Sequence, residues 1–248
     1  MKRSSLFALV VLVLAALLVT GCAGKSDKIT VVMDATWPPF EYVDEDTKDL
    51  AGFDVELMKA IAEKEGLEIE FQNVGFDSLL AGLSKCQYDA AISAITITEE
   101  RKETIAFSEP YFAAGQIVTV RIDNSEITGK DSLVGKVVGA QLGTTGAIEL
   151  EKMEGVTLKT YDDISLVYQD VMNGQIDAAV ADNPLAIEYV GKNPDRLKMV
   201  GEVFTDEYYG IAVCKTKPEL VEKFNHGLKA LMDEGLVDQM AVKWIVGQ

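Results

Sequence analysis

From Lys28 onward, apolar runs of about five residues alternate with segments of helical period, and this alternation restricts the fold more than any other feature of the chain. Lys28 to Asp34 (KITVVMD), Leu67 to Phe71, Ala90 to Ile95, Lys136 to Gln141 (KVVGAQ) and Asp177 to Ala181 read as strands. Gly52 to Gly66, Phe76 to Leu83, Ala147 to Met153 and Asp163 to Met172 read as the helices between them. Strand, helix and strand in repeated order predict a parallel sheet with helices on both faces. Within Gly52 to Gly66, Phe53, Leu57 and Ile61 recur four apart, Asp54 and Glu56 suit the positive end of a helix, and Gly66 suits its termination. Composition shifts near Gly115 and again at Thr205 to Tyr209, and each shift is a candidate crossing between two units. Pro218 to Asp233 and Leu236 to Trp244 read as two closing amphipathic helices.

Open α/β sheets bind ligands beyond the carboxyl ends of their strands, and polar residues gather at those positions here. The stretch Asp89 to Tyr111 (DAAISAITITEERKETIAFSEPY) runs from an apolar strand through Thr96 and Thr98 into a helix start, which puts Arg101 just past a strand end. A guanidinium there offers a two-pronged donor to a carboxylate or phosphate, with the hydroxyls of Ser93 and Thr96 nearby. The alternative is a surface arginine paired with Glu99 or Glu103. The first strand ends in Asp34 and a loop holding Trp37, Pro38 and Pro39, where two prolines forbid regular structure. Gln141 is followed by Leu142, Gly143, Thr144, Thr145 and Gly146, a turn into a helix whose free NH groups suit an anion. It is not a Walker loop, because no Gly-Lys-Ser/Thr follows. Asp182 ends another strand, where it is free to meet a ligand, to cap the helix that Pro184 starts, or to do both.

Several function classes are excluded early. The formal charge of −17, from 23 basic and 40 acidic residues, argues against a nucleic-acid partner. His226 is the single histidine and sits mid-helix, which removes serine–histidine and cysteine–histidine nucleophilic schemes. No paired-cysteine motif or cysteine–histidine cluster occurs, so neither a metal nor a cofactor is expected. Lys2 and Arg3 precede an uncharged run, Leu6 to Val19, that is short for a membrane span and has the layout of a secretory signal. LLVTGC resembles a bacterial lipobox, which implies a signal peptide over 1–21, lipidation of Cys22 and a tether over 22–27. Export exposes Cys86 and Cys214 to an oxidising environment, where they are free to pair or to remain thiols.

These pieces together resemble family 3 of the bacterial extracellular solute-binding proteins, the amino acid-capturing components of ABC importers. GFDVELMKAIAEK, DAAISAITITEERKETIAFSEPYF, VGAQLGTTG, DAAVADNP and YYGIAV fall in the family's order and spacing from about Lys28 to the end. The resemblance implies a two-lobe α/β clamshell joined by two hinge strands. Residues 28–110 and 210–248 would form the first lobe, 116–204 the second, and 111–115 with 205–209 the hinge. It places Arg101 and the NH of Thr96 at the ligand α-carboxylate, with Thr144, Thr145 and the turn after Gly143 opposite. Asp182, with Thr96 and the carbonyl of Ser93, would receive the α-ammonium. Trp37 and Phe76 would flank the ligand stem, Asp34 would meet its tip, and Ala94 and Gln141 would line the same site. Ala94 stands where some basic amino acid binders have serine, and Gln141 where some glutamine binders have lysine. Two aromatic faces and an acid suit a guanidinium, at about 1 to 2 kcal/mol per desolvated cation–π contact. Arginine or another basic amino acid is therefore the expected ligand and glutamine the main alternative. The resemblance also implies a monomer on the outer side of a membrane that hands its ligand to an ABC permease. Two other classes share the fold, a sensor subunit and a cyclohexadienyl dehydratase-like enzyme in which Asp34 or Asp182 would serve as acid or base.

Overall fold

The computed structural model describes residues 28–246, so the signal segment, Cys22 and the tether lie outside the described residues. Two five-stranded sheets organise the chain. The first runs in the order Ile69–Asn73, Ile29–Met33, Ala90–Ala91, Ala212–Cys214, Ile105–Phe107. The second runs Thr157–Tyr161, Val137–Gln141, Ala178–Asp182, Gln116–Arg121, Leu197–Val200.

Neither sheet is wholly parallel, which corrects the sequence expectation. Ile29–Met33 pairs in parallel with both of its neighbours, but Ala212–Cys214 runs antiparallel to Ala90–Ala91 and to Ile105–Phe107. In the second sheet Gln116–Arg121 is likewise antiparallel to both neighbours. The odd strand in each sheet is the one by which the chain arrives from the other sheet: Gln116–Arg121 follows the first crossing and Ala212–Cys214 the second, and neither is part of a βαβ unit.

The first sheet is covered by Phe53–Glu65, Phe76–Ser84 and Pro218–Asp233. Phe53, Leu57 and Ile61 are fully buried, each contributing about 1.5 to 3 kcal/mol of transfer free energy. Gly66 closes the first of these helices with a φ of 61°, a left-handed conformation that glycine adopts without a Cβ penalty. The loop after Ile29–Met33 is not irregular throughout, as two prolines suggested. Thr36–Trp37, Glu41–Val43 and Leu50–Ala51 form a small antiparallel sheet with Pro38 and Pro39 at its turn. Cys86 and Cys214 form a disulfide across 128 residues, tying the segment after Phe76–Ser84 to the returning strand.

The two sheets form two lobes, and the chain passes between them along Phe112–Ala114 and Glu207–Tyr209, which pair antiparallel. The crossings touch closely just beyond this ribbon. A Cβ on Gly115 would lie 2.1 Å from the carbonyl oxygen of Thr205, so no larger residue fits without moving the opposite strand. The Gln116 NH donates to Thr205 Oγ1 at 2.8 Å and the Phe204 NH donates to the Gln116 carbonyl at 2.9 Å.

Candidate functional site: a charged cleft between two lobes

Four strand ends face one another across the gap between the lobes. Trp37, Phe76, Ala94, Thr96 and Arg101 from the first lobe and Thr144, Thr145 and Asp182 from the second line a narrow cleft whose walls are in contact.

The strand expected over Ala90 to Ile95 stops at Ala91. The Ser93 hydroxyl accepts from the Asp34 NH at 3.0 Å and donates to Glu41 at 2.8 Å. Ala94 then takes a φ of 44° and donates its NH to Asp54 at 2.8 Å. These bonds turn the chain out of the sheet and deliver Thr96 to the cleft. Thr98 caps the helix Glu99–Thr104 by accepting from the Arg101 NH at 3.1 Å. Arg101 turns inward, 9% exposed, and pairs with neither Glu99 nor Glu103. Its guanidinium donates to the Thr96 carbonyl at 2.7 Å and across the gap to the Gly143 carbonyl at 2.9 Å, and it lies 5.5 Å from the centre of the Phe76 ring. Burial lowers its pKa to about 10, opposed by the charges of Asp182 and Glu207, so it stays cationic at neutral pH.

Asp182 does not cap the helix Asn183–Lys192 with its side chain. Its carboxylate accepts from Gln116 Nε2 at 2.7 Å and from the Tyr209 hydroxyl. Burial, then the charge of Glu207, pushes its pKa up to about 7, against the two hydrogen bonds and Arg101.

At the other end of the cleft the Trp37 and Phe76 rings lie 6.3 Å apart and within 24° of parallel. Asp34 sits behind them and is satisfied three times, by Thr36 Oγ1 at 2.9 Å, the Phe76 NH at 3.0 Å and Gln141 Nε2 at 2.7 Å. Burial raises its pKa, against those bonds. Gln141 belongs to the second lobe and also accepts from the Trp37 indole, so it bridges the lobes at this end. The Thr144 hydroxyl is engaged locally, donating to the Gln141 carbonyl at 2.7 Å and accepting from the Ala147 NH.

Four functional side chains escaped sequence reasoning. Glu207, on the second crossing strand, accepts from Thr96, Thr145, Thr205 and Gln116. Gln116, at the first crossing, donates to both Asp182 and Glu207. Asp54 and Glu41 lie beneath the cleft floor, fully buried, with Asp54 Oδ1 and Glu41 Oε2 otherwise unpartnered. Burial pushes Asp54 up to about 6, and burial with the Asp54 charge holds Glu41 well above the usual carboxylate range. Asp54 had the sequence signature of an ordinary first-turn acid, and only an acid inside the run EYYGIAV hinted at Glu207. Among the described residues no group of histidine, cysteine, aspartate and glutamate side chains is placed to hold a metal ion, and no helix is long and apolar enough to cross a membrane.

Two α/β lobes joined by paired crossing strands, with opposite charges facing one cleft, are the architecture of a binding protein for a small polar solute. The chain belongs to the bacterial extracellular solute-binding proteins, family 3, whose model matches residues 29–247. It is 34% identical over 218 residues to the L-cystine-binding protein TcyJ of Escherichia coli (strain K12), covering 87% of this chain and 82% of that protein. It is 34% identical over 233 residues to the arginine-binding extracellular protein ArtP of Bacillus subtilis (strain 168), covering 92% and 90%. The fold is similar to that of an ancestral arginine-binding protein bound to arginine, with a TM-score of 0.84 and 42% identity, covering 88% of this chain and 97% of the other. These relatives are solute-binding proteins and not enzymes.

Proposed function

We propose that this chain captures a basic L-amino acid, arginine first, by closing its lobes around it, and delivers it to an ABC permease. The observation that carries this reading is the imbalance of charge around the cleft. Asp34, Asp182 and Glu207 supply three buried carboxylates, and Arg101 supplies one buried guanidinium. A zwitterionic head group matches Arg101 with its carboxylate and Asp182 with its ammonium but adds no net charge. A cationic side chain offsets Asp34, one of the two acids that then remain, because buried charges left unpaired cost several kcal/mol; Glu207, the other, is held by four neutral donors. Asp34 lies at the far end from Asp182, behind two near-parallel rings that suit a flat guanidinium. Opening the lobes withdraws Gln141 from Asp34, and the guanidinium takes the place of that amide. Ala94, Thr144, Thr145 and the Ser93 carbonyl complete the site.

Glutamine is the second reading, favoured by the fact that Asp34 already holds a carboxamide, that of Gln141. In the cell, the chain acts outside the cytoplasm as a monomer anchored through a lipid on Cys22. Calorimetric titration of residues 22–248 against all common L-amino acids tests the reading. Arginine should bind in the micromolar range or tighter, about −8 kcal/mol or stronger. No heat with any basic amino acid refutes it.

A further inference from the structure

Glu207 is a buried anion with no lysine or arginine among its hydrogen-bond partners, and its four donors come from both sides of the gap. Oε2 accepts from Thr96 Oγ1 at 2.6 Å and Thr145 Oγ1 at 2.7 Å. Oε1 accepts from Thr205 Oγ1 at 2.8 Å and Gln116 Nε2 at 3.1 Å. Thr96 belongs to the first lobe and Thr145 opens the helix Thr145–Glu151 of the second, and both line the cleft. A threonine hydroxyl has one proton to donate. Both hydroxyls direct theirs to Glu207, and Thr145 Oγ1 also accepts from Gln116 Nε2 at 3.1 Å, so what each hydroxyl has left for the cleft is lone-pair capacity alone. A hydroxyl held in that sense accepts from a cation and offers nothing to a carboxylate. This differs from the expectation that the Thr145 side chain meets the ligand α-carboxylate. While its hydroxyl is engaged with Glu207, only backbone NH groups of that turn are left to do so.

We propose that Glu207 is a positioning residue for the ligand's α-ammonium: by taking the hydroxyl protons of Thr96 and Thr145, it presents two acceptors, one from each lobe, beside Asp182. The inference rests on reading the cleft as an amino acid site. It adds a selection rule, that the guest must carry a protonated amine at this pole and not merely a polar group. The crossing strand supplies this anion to both lobes at once, because Glu207 pairs with Ala114 within the ribbon that joins them.

The test compares L-arginine with its α-hydroxy analogue, which keeps the carboxylate and guanidinium but replaces the ammonium by a neutral hydroxyl. Both are titrated into wild type and Glu207→Gln, with the analogue measured by displacement of arginine. Glu207→Gln should reduce the preference for arginine over the analogue at least tenfold. Thr96→Val, which removes one of the two acceptors and leaves the carboxylate in place, should reduce it in the same sense, and it serves if the glutamine variant does not fold. An unchanged preference, whether both affinities fall together or neither moves, overturns the role of Glu207 while leaving the amino acid site intact. Wild type that binds no amino acid overturns the reading of the cleft, and this inference with it.

Discussion

Asp182 is 2% exposed, and its pKa of about 7 lies about three units above the ordinary aspartate value of 3.8. At about 1.36 kcal/mol per unit, the surroundings disfavour its charged form by roughly 4 kcal/mol relative to water. A ligand ammonium set against the carboxylate supplies the missing counter-charge and draws the pKa back down. Binding therefore releases a proton wherever Asp182 was protonated beforehand. With a pKa of about 7, that is about 0.9 proton per ligand at pH 6, 0.5 at pH 7 and 0.1 at pH 8. Affinity should accordingly fall almost tenfold per pH unit on acidification below about 7 and level off above it. Calorimetry with L-arginine in two buffers of different ionisation enthalpy, at pH 6, 7 and 8, reads the released proton directly. Asp182→Asn should bind more weakly and abolish most of the release. Affinity that is flat between pH 5.5 and 8, or release that persists in Asp182→Asn, refutes the assignment of the ammonium to this carboxylate.

Three further outcomes follow from the same geometry. Asp34→Ala should weaken arginine by about 2 to 5 kcal/mol and glutamine much less, while Arg101→Ala abolishes both, and equal losses in the Asp34 variant would defeat the preference for arginine. Without added ligand, the thermal midpoint should fall as pH rises from 5.5 to 8: Asp54, at about 6, and Asp182, at about 7, both have pKa values raised above the unfolded 3.8, so their stabilisation is complete below that value and is lost as pH passes the folded values. A midpoint that rises over this window contradicts the two shifts. Opening the disulfide by Cys86→Ser with Cys214→Ser should cost about 2 to 4 kcal/mol in chemical denaturation while changing ligand affinity less than twofold, and a tenfold loss of affinity would show that the bridge reaches the cleft.

The fold class was legible because apolar runs and helical periods are local signals. The polar strand ends were legible for the same reason: Asp34, Gln141 and Asp182 are each the residue at or just past the last position of an apolar run. What stayed hidden depends on where the chain goes afterwards. Glu207 meets Thr96 across 111 residues and Gln116 across 91, so the partnership exists only once both crossings are in place. The antiparallel strands share that cause. The early end of the strand at Ala91 was illegible for a different reason. Ile92, Ala94 and Ile95 are as apolar as a strand requires, and it is the buried acids Glu41 and Asp54, capturing Ser93 and the Ala94 NH, that bend the chain away.

The near-contact of Gly115 with Thr205 has a mechanical corollary. Two connecting segments laced together by hydrogen bonds, with no room between them even for a methyl group, resist sliding past each other. Any rotation of one half against the other would then bend both segments together, and a surface gripping both halves at once would sense that single angle.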